Sequence, residues 1–510
     1  MERDDELPTA RRQKLKSLRA RGIQPYGGKF PKREPIQQLV AQYREGETVA
    51  TAGRLSAKRG HGGLAFADLR DASGKIQLCL RQERLGVDQY QLFDMMDLGD
   101  CLGVEGRLFQ TKTGEITIEV ERFALLSKSL RPLPEKWHGL RDVEIRYRKR
   151  YLDLIANEPV RRVFEQRARL LESVRRTLAS HGYLEVETPM MHPIPGGATG
   201  EPFVTHHHAL DTDFYLRLAP ELYLKRLLVG GFEKVYELNR SFRNEGLSTT
   251  HNPEFTMLEA YCAYEDYAYM MGLVKELIIE AAKQTIGQLR FEFQGRAMNL
   301  SNAWEVVSFA ELLKTGYDLD PRDGVGAMQQ KLKHPKPGFR AIDMKGQSRS
   351  QVLRVIEQLV EPKVKDAPVF VTDYWTELSP LAKSRADDPL IAERFELFIG
   401  GMEVANAYSE LNDPIEQRRR LEAQQDQAPS SKLRATEKKT KGLQPAACSR
   451  MIDEDFLEAL EYGMPPATGL GVGIDRLAML LFDQPSIKDV MLFPLLRPEE
   501  GKTRDQRPET

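Results

Sequence analysis

From about Glu47 to Ser127, short apolar runs alternate with turn residues, as in GLAFADLRDASG, KIQLCLRQE and EITIEVERFALLS. Ser73-Gly74 and Thr113-Gly114 mark turns between runs of strand length. About five strands in so short a span predict a small barrel, with an OB fold as the leading candidate. Such barrels bind single strands by stacking bases on aromatic rings beside basic groups. Phe66 lies between Arg59 and Arg70 and is either such a platform or a core residue; barrel geometry alone leaves both open. Ahead of the barrel, residues 8–22 read as a basic helix with Leu15 and Leu18 as a thin apolar stripe and Gly22 as its stop. That helix is either a solvated surface element or one that touches RNA phosphates.

Beyond the charged, Pro-containing SLRPLPEKWHGLRD the period changes. Phe164, Ala168, Leu171, Val174 and Leu178 fall at three- and four-residue steps, predicting a helix over about 162–181 with one packed face. Gly182 ends it, and YLEVET (183–188) reads as a strand cut off by Pro189. APELYLKRLLVGG (219–231) predicts a helix with Pro220 and Glu221 in its first turn and Gly230-Gly231 at its end. KVYELNRSFRNEG (234–246) and FTMLEAY (255–261) both alternate, separated by a polar loop carrying His251 and Asn252. They predict a long antiparallel hairpin. Glu237, Asn239 and Arg243 share one face of the first strand, and Phe255, Met257, Glu259 and Tyr261 one face of the second. A cation for phosphate, a flat ring for a base and carboxylates for an amine suit a nucleotide and an amino substrate. A hairpin whose charges merely pair with each other is the plainer alternative, but surface pairs contribute little to stability.

ERFELFIGGMEVANAYSELND (393–413) places two strands around Gly400-Gly401. Counting back from that turn pairs Phe398 with Glu403 and Glu396 with Ala405. Glu396 and Glu403 then lie diagonally on one face, close enough to share a divalent cation. Asn406, Tyr408 and Glu410 have the opposite parity to Glu403, so a common site requires a β-bulge between 403 and 406. GLGVGIDRLAMLLF (469–482) leads from a strand into an apolar helix with Arg476 in its first turn. Its spacing is neither the dinucleotide fingerprint nor a phosphate loop. IPGGATGEPF (194–203) is a turn-rich loop that exposes backbone at Gly196-Gly197. His206, His207 and His208 suggest metal, but consecutive strand residues point to opposite faces, so they read as structural.

Composition narrows the picture. With 74 basic and 75 acidic residues among 510, a polyanionic partner must be held by local patches. The four cysteines, Cys79, Cys101, Cys262 and Cys448, form no Cys-x-x-Cys pair, which argues against zinc and fits a reducing cytosol. The start, MERDDELPTA, reads as neither signal nor transit peptide, and no apolar stretch is long enough for a bilayer. Residues 422–450 are rich in Gln, Lys and Ser and read as a mobile insertion, with an RNA contact as the alternative.

RSFRNEG with HNPEFTMLEAY resembles motif 2 of the class II aminoacyl-tRNA synthetases, GLGVGIDRLAMLLF resembles motif 3, and the helix ending in GYLEVETP resembles motif 1. HHHALDTDFYLRLAPELYLKRLLVGGFEKVYELNRSFRNEG and FELFIGGMEVANAYSELND are similar to the lysyl branch. The resemblance covers almost the whole chain. It implies an α+β fold: an N-terminal OB-fold anticodon domain (39–145) after a helical extension (1–38), then a catalytic domain (146–498) with an antiparallel sheet flanked by helices, and a flexible tail (499–510). Motif 1 falls at about 165–189, motif 2 at 234–261 and motif 3 at 469–482. The family further implies lysine activation with ATP and magnesium, transfer to tRNA(Lys), a homodimer built on motif 1, and a cytoplasmic location.

By that resemblance Arg243 holds the lysine carboxylate and the ATP α-phosphate, and Phe255 stacks on adenine with Arg476 on the other side. Glu245, His251 and Asn252 also touch ATP, and Glu396 and Glu403 hold magnesium. Gly197, Glu221 and Glu259 face the lysine α-amine, and Tyr261, Asn406, Tyr408 and Glu410 its side chain. Arg59, Phe66, Gln77 and Glu115 contact anticodon bases. Charge supports the choice of lysine independently: a substrate with two ammonium groups needs several carboxylates in one pocket, because a buried unpaired ammonium is heavily penalised. Two other classes compete. A ligase that modifies a protein would lack the anticodon barrel, and a catalytically dead relative would have lost the ATP and magnesium residues.

Overall fold

A computed structural model describes residues 3–30, 33–133, 140, 142–198, 200–359, 367–426 and 452–498. The tail 499–510 and most of the expected insertion (427–450) lie outside the described residues. The chain divides into two units, Met1–Asp142 and Val143–Thr510.

In the first unit five strands close into a barrel, in the order Thr48–His61, Leu64–Arg70, Lys75–Arg81, Ile116–Ser127, Cys101–Gln110. The alternation read in the sequence is the barrel's inside and outside. Leu55, Leu69, Leu78, Val104, Ile118 and Val120 fill the interior with no more than 1% exposure. The N-terminal helix Arg3–Ala20 is neither freely solvated nor detached. Leu18 is fully buried in the barrel's core cluster, and the Arg11 guanidinium donates to the carbonyls of Ser129 and Arg131.

The second unit is built on an eight-stranded sheet. Its spatial order is Glu305–Ser308, Val369–Thr372, Arg394–Ile399, Met402–Ser409, Ala467–Gly473, Glu254–Ala263, Lys234–Phe242, Leu184–Glu185. The expected antiparallel sheet holds for the six interior strands, but each outermost strand pairs parallel with its neighbour, so the sheet is mixed. These edges are two and four residues long and arrive by crossover, which permits parallel pairing.

Helices Glu158–Ser180 and Tyr267–Thr285 share a core cluster with the central strands. The buried face of Glu158–Ser180 is rotated from the one expected: Val163, Leu170, Val174 and Leu178 are buried, whereas Ala168 is exposed. The reason is polar. Arg167 turns inward and binds Asp475 at 2.6 Å, while the other Asp475 oxygen accepts the Thr256 amide at 2.7 Å. A separate cluster gathers helices Phe309–Tyr317, Val325–Lys333 and Arg349–Gln358 beside strand Val369–Thr372. Among the described residues no helix is long and apolar enough to cross a membrane.

Candidate active site

The hairpin formed by Lys234–Phe242 and Glu254–Ala263 has an unbroken register, with Glu237 opposite Glu259, Asn239 opposite Met257 and Ser241 opposite Phe255. Phe255, Glu259 and Tyr261 therefore line one face. Glu237 shares that face but is already committed: it binds the buried Arg217 at 2.6 Å and accepts from the Thr188 hydroxyl at 2.7 Å. Arg243 follows the strand, with its guanidinium 5.3 Å from the Phe255 ring and its buried Nε without a hydrogen-bond partner. Burial pushes its pKa below the ordinary arginine value, opposed by Glu245, Glu403 and Glu259. A strongly desolvated guanidinium with an unmet donor is prepared to bind an anion.

In the second hairpin Leu397 faces Ala405 and Phe398 faces Glu403, so Val404 is the extra residue of a bulge. That is the bulge the parity conflict demands. It corrects one expected pairing, for Glu396 sits opposite Asn406 and not Ala405. Placing the extra residue at Val404 brings Glu403 onto the face that carries Asn406, Tyr408 and Glu410.

Next to this strand runs Ala467–Gly473. Gly469 lies between Tyr261 and Tyr408, and Gly471 between Glu259 and Asn406. The glycines clear the floor of a pocket: a Cβ on Gly469 would overlap the Glu410 carboxylate and the Tyr261 ring. Gly469→Ala would therefore close the floor of this pocket.

The pocket collects Glu221 (5% exposed), Glu259 (5%), Glu410 (1%) and Tyr261 (4%). Tyr408 donates its hydroxyl to Glu221 at 2.7 Å, and Tyr261 donates to Glu259 at 3.3 Å. Gly197, at φ 83°, packs against Glu221, whose Cβ would lie 3.3 Å from an added Cβ. Burial and the neighbouring Glu221 push Glu259 up to about 8. Burial likewise pushes Glu410 up to about 8, opposed by Lys225 and aided by Glu221. Lys225 was not singled out in the sequence. It is fully buried between Glu221 (2.7 Å) and Glu410 (2.6 Å). The available signal was its place four residues after Glu221 on a helix.

Arg476 spans the other end, with Nη1 2.9 Å from the Glu403 carbonyl and 3.0 Å from its carboxylate and Nη2 3.1 Å from His251 Nε2. For that contact His251 must accept, and burial together with Arg476 lowers its pKa, which keeps the ring neutral. Asn252 is buried with its Oδ1 unpartnered, while Glu245 is exposed.

Glu396 is oriented by two groups the sequence reading missed: Arg394 reaches Oε1 at 2.5 Å, and the Tyr374 hydroxyl donates to Oε2 at 2.6 Å. Burial raises the Glu396 pKa, Arg394 opposes that, and Glu403 adds to it. Two carboxylates that feel each other's charge fit a magnesium ion, which usually takes one or two carboxylates and completes its shell with water and substrate phosphates. Among the described residues no three acidic, His or Cys side chains form a metal cluster. His206 instead binds Asp213 at 2.8 Å, and the His207 ring lies by Phe214.

On the barrel Phe66 is not in the core. It sits opposite Arg59 and Cys79 and, with Arg59, Gly60 and Leu64, lines a shallow groove of about 340 Å³. Gln77, two residues from Cys79 on the same side, donates to Glu115 at 3.1 Å. The four positions expected to meet bases thus share one outer face.

A nucleic-acid barrel in one unit and a bulged, glycine-floored sheet in the other define a class II aminoacyl-tRNA synthetase. Residues 142–497 match the tRNA synthetases class II (D, K and N), and residues 49–126 match the OB-fold nucleic acid binding domain; the chain belongs to this synthetase family. The chain is 50% identical over 507 residues to a lysine–tRNA ligase of Pelotomaculum thermopropionicum, covering 97% of this chain and 96% of that one. It is 51% identical over 498 residues to one from Carboxydothermus hydrogenoformans (97% and 99%) and 44% over 508 residues to one from Bacillus subtilis (97% and 98%). Within the class it is a member of the lysine–tRNA ligase family.

Proposed function

We propose that this protein activates L-lysine with ATP and transfers it to tRNA(Lys), as a homodimer in the cytoplasm. One observation supports lysine above other amino acids: three buried carboxylates, Glu221, Glu259 and Glu410, converge on one pocket whose far end carries Arg243. A neutral or acidic side chain would leave the Glu410 oxygen that Lys225 does not reach buried without a partner.

In the first step a lysine carboxylate oxygen attacks the ATP α-phosphorus, the bond to the bridging oxygen breaks, and pyrophosphate leaves. Arg243 neutralises both reacting anions, Phe255 stacks on adenine, and Arg476, Glu245, His251 and Asn252 position the nucleotide. Glu396 and Glu403 hold magnesium, which when bound offsets phosphate charge. Positioning and charge carry chemistry of this kind without a protein nucleophile or base. In the second step a ribose hydroxyl of the terminal adenosine attacks the lysyl carbonyl and AMP leaves. The Phe66 face of the barrel reads the anticodon. Exposed Leu184, Met190 and Met191, at the end of motif 1, supply apolar surface for the partner subunit, and light scattering tests that assembly. Charging of total tRNA, run across the amino acids, tests the function. Lysine alone should be attached, and attachment of a different amino acid would overturn the assignment.

The pocket also predicts a pH dependence. Glu259 and Glu410 stand at about 8, so near neutrality each holds a proton part of the time. A dicationic ligand binds the ionised carboxylates, and those protons must leave first. The KM for lysine should fall several-fold from pH 6.5 to pH 8.5, and a KM that rises over this interval would contradict it.

A further inference from the structure

The amino-acid pocket contains a cation of its own. Lys225 lies one turn beyond Glu221 on the Glu221–Val229 helix and has no exposed surface. Its Nζ stands 2.7 Å from Glu221 Oε1 and 2.6 Å from Glu410 Oε2, with the Tyr408 and Phe456 rings 5.8 and 5.9 Å away. It thereby joins carboxylates from two separate elements, the helix and the segment that ends the bulged hairpin. Glu410 Oε1 is buried and accepts no hydrogen bond, and it lies over Gly469, where a side chain would strike it. Lys225 holds one Glu410 oxygen and leaves the other facing the cleared floor.

We infer that Lys225 is a positioning residue for lysine recognition: it holds Glu221 and Glu410 aimed in the empty enzyme, eases their ionisation, and matches the ionised pocket's charge to one dication. This rests on the reading that the pocket takes lysine. Once ionised, three carboxylates less one ammonium leave two negative charges, and lysine brings two ammonium groups. The ionisable groups facing this cluster are Glu221 and Lys225 from the helix, Glu259 and Tyr261 from the first hairpin, and Tyr408 and Glu410 from the second. Beyond them Glu237 and Arg217 neutralise each other at 2.6 Å. Burial alone would lower the Lys225 pKa, but Glu221 and Glu410 outweigh it and raise it, so the ammonium stays charged. Without it two buried carboxylates would face each other with no cation between them, and the pair would take up a further proton. Lysine would then have to expel that proton on binding.

The test is Lys225→Met, which keeps the volume and removes the charge. In ATP–pyrophosphate exchange the KM for lysine should rise at least tenfold while the KM for ATP stays within twofold. The slope of log KM for lysine against pH should also steepen by about one unit between pH 6.5 and 8.5, which loss of packing alone would not produce. In Lys225→Ala, added n-propylammonium should restore lysine affinity, since it replaces the deleted atoms and carries the charge. An unchanged KM for lysine with an unchanged slope, or no rescue of the alanine variant by propylammonium, would overturn the inference. The unsubstituted enzyme, run across the amino acids in the same assay, tests the pocket reading separately. Exchange driven by another amino acid would sink that reading, whereas a normal lysine profile with indifferent Lys225 variants sinks only the inference.

Discussion

Arg243→Ala should abolish lysine-dependent ATP–pyrophosphate exchange, lowering kcat/KM at least about a thousandfold, the scale on which arginine stabilises a transferring phosphoryl group. Arg243 is largely desolvated, lies 5.3 Å from the Phe255 ring, and has an Nε donor with no partner. Three carboxylates, Glu245, Glu403 and Glu259, surround it electrostatically but do not restore its ordinary pKa. Holding such a group costs stability unless an anion uses it. The empty variant should therefore melt no lower than the parent, even as activity vanishes. Arg243→Lys restores the charge without the planar fork and should recover only a small part of the rate. Exchange in Arg243→Ala within tenfold of the parent would remove Arg243 from the reaction.

Much of this site could be read from the chain because alternation survives in strands. The first hairpin's partners follow from parity, and its register is continuous. The bulge was legible for the opposite reason: Glu403 and the trio Asn406, Tyr408 and Glu410 have conflicting parities, and one extra residue at Val404 resolves the conflict. Its location within the interval was not legible, and that shifted the partner of Glu396 by one residue. Lys225 and Arg394 escaped notice because long cationic side chains ordinarily reach water. Only tertiary packing reveals that their charges are answered by Glu221 and Glu410, and by Glu396. Arg167 is a similar case, since its partner Asp475 lies in a distant part of the sequence. It turned a helix face that apolar spacing alone had placed elsewhere. The parallel sheet edges have a different cause: strands of two and four residues carry too little pattern to announce their direction.

Glu410→Gln preserves shape and removes the charge proposed to select the substrate's far end. The KM for lysine should rise about a hundredfold or more, in line with the roughly 3–5 kcal/mol lost when one partner of a buried ion pair is removed. The KM for ATP should change less than threefold, because the nucleotide contacts proposed for Arg243, Phe255 and Arg476 are left in place. The substitution strikes two ammonium groups at once, the substrate's and that of Lys225, which stands 2.6 Å from Glu410 Oε2. Glu221 still holds Lys225 at 2.7 Å, so the protein should remain folded while discrimination fails. An amino acid of similar length with an uncharged end should consequently lose less affinity than lysine does, narrowing the ratio of their kcat/KM values. Paired measurements of exchange with lysine and norleucine give that ratio directly. Equal losses for lysine and ATP, or an unaltered lysine-to-norleucine ratio, would show that Glu410 supports the sheet and does not recognise the ε-ammonium.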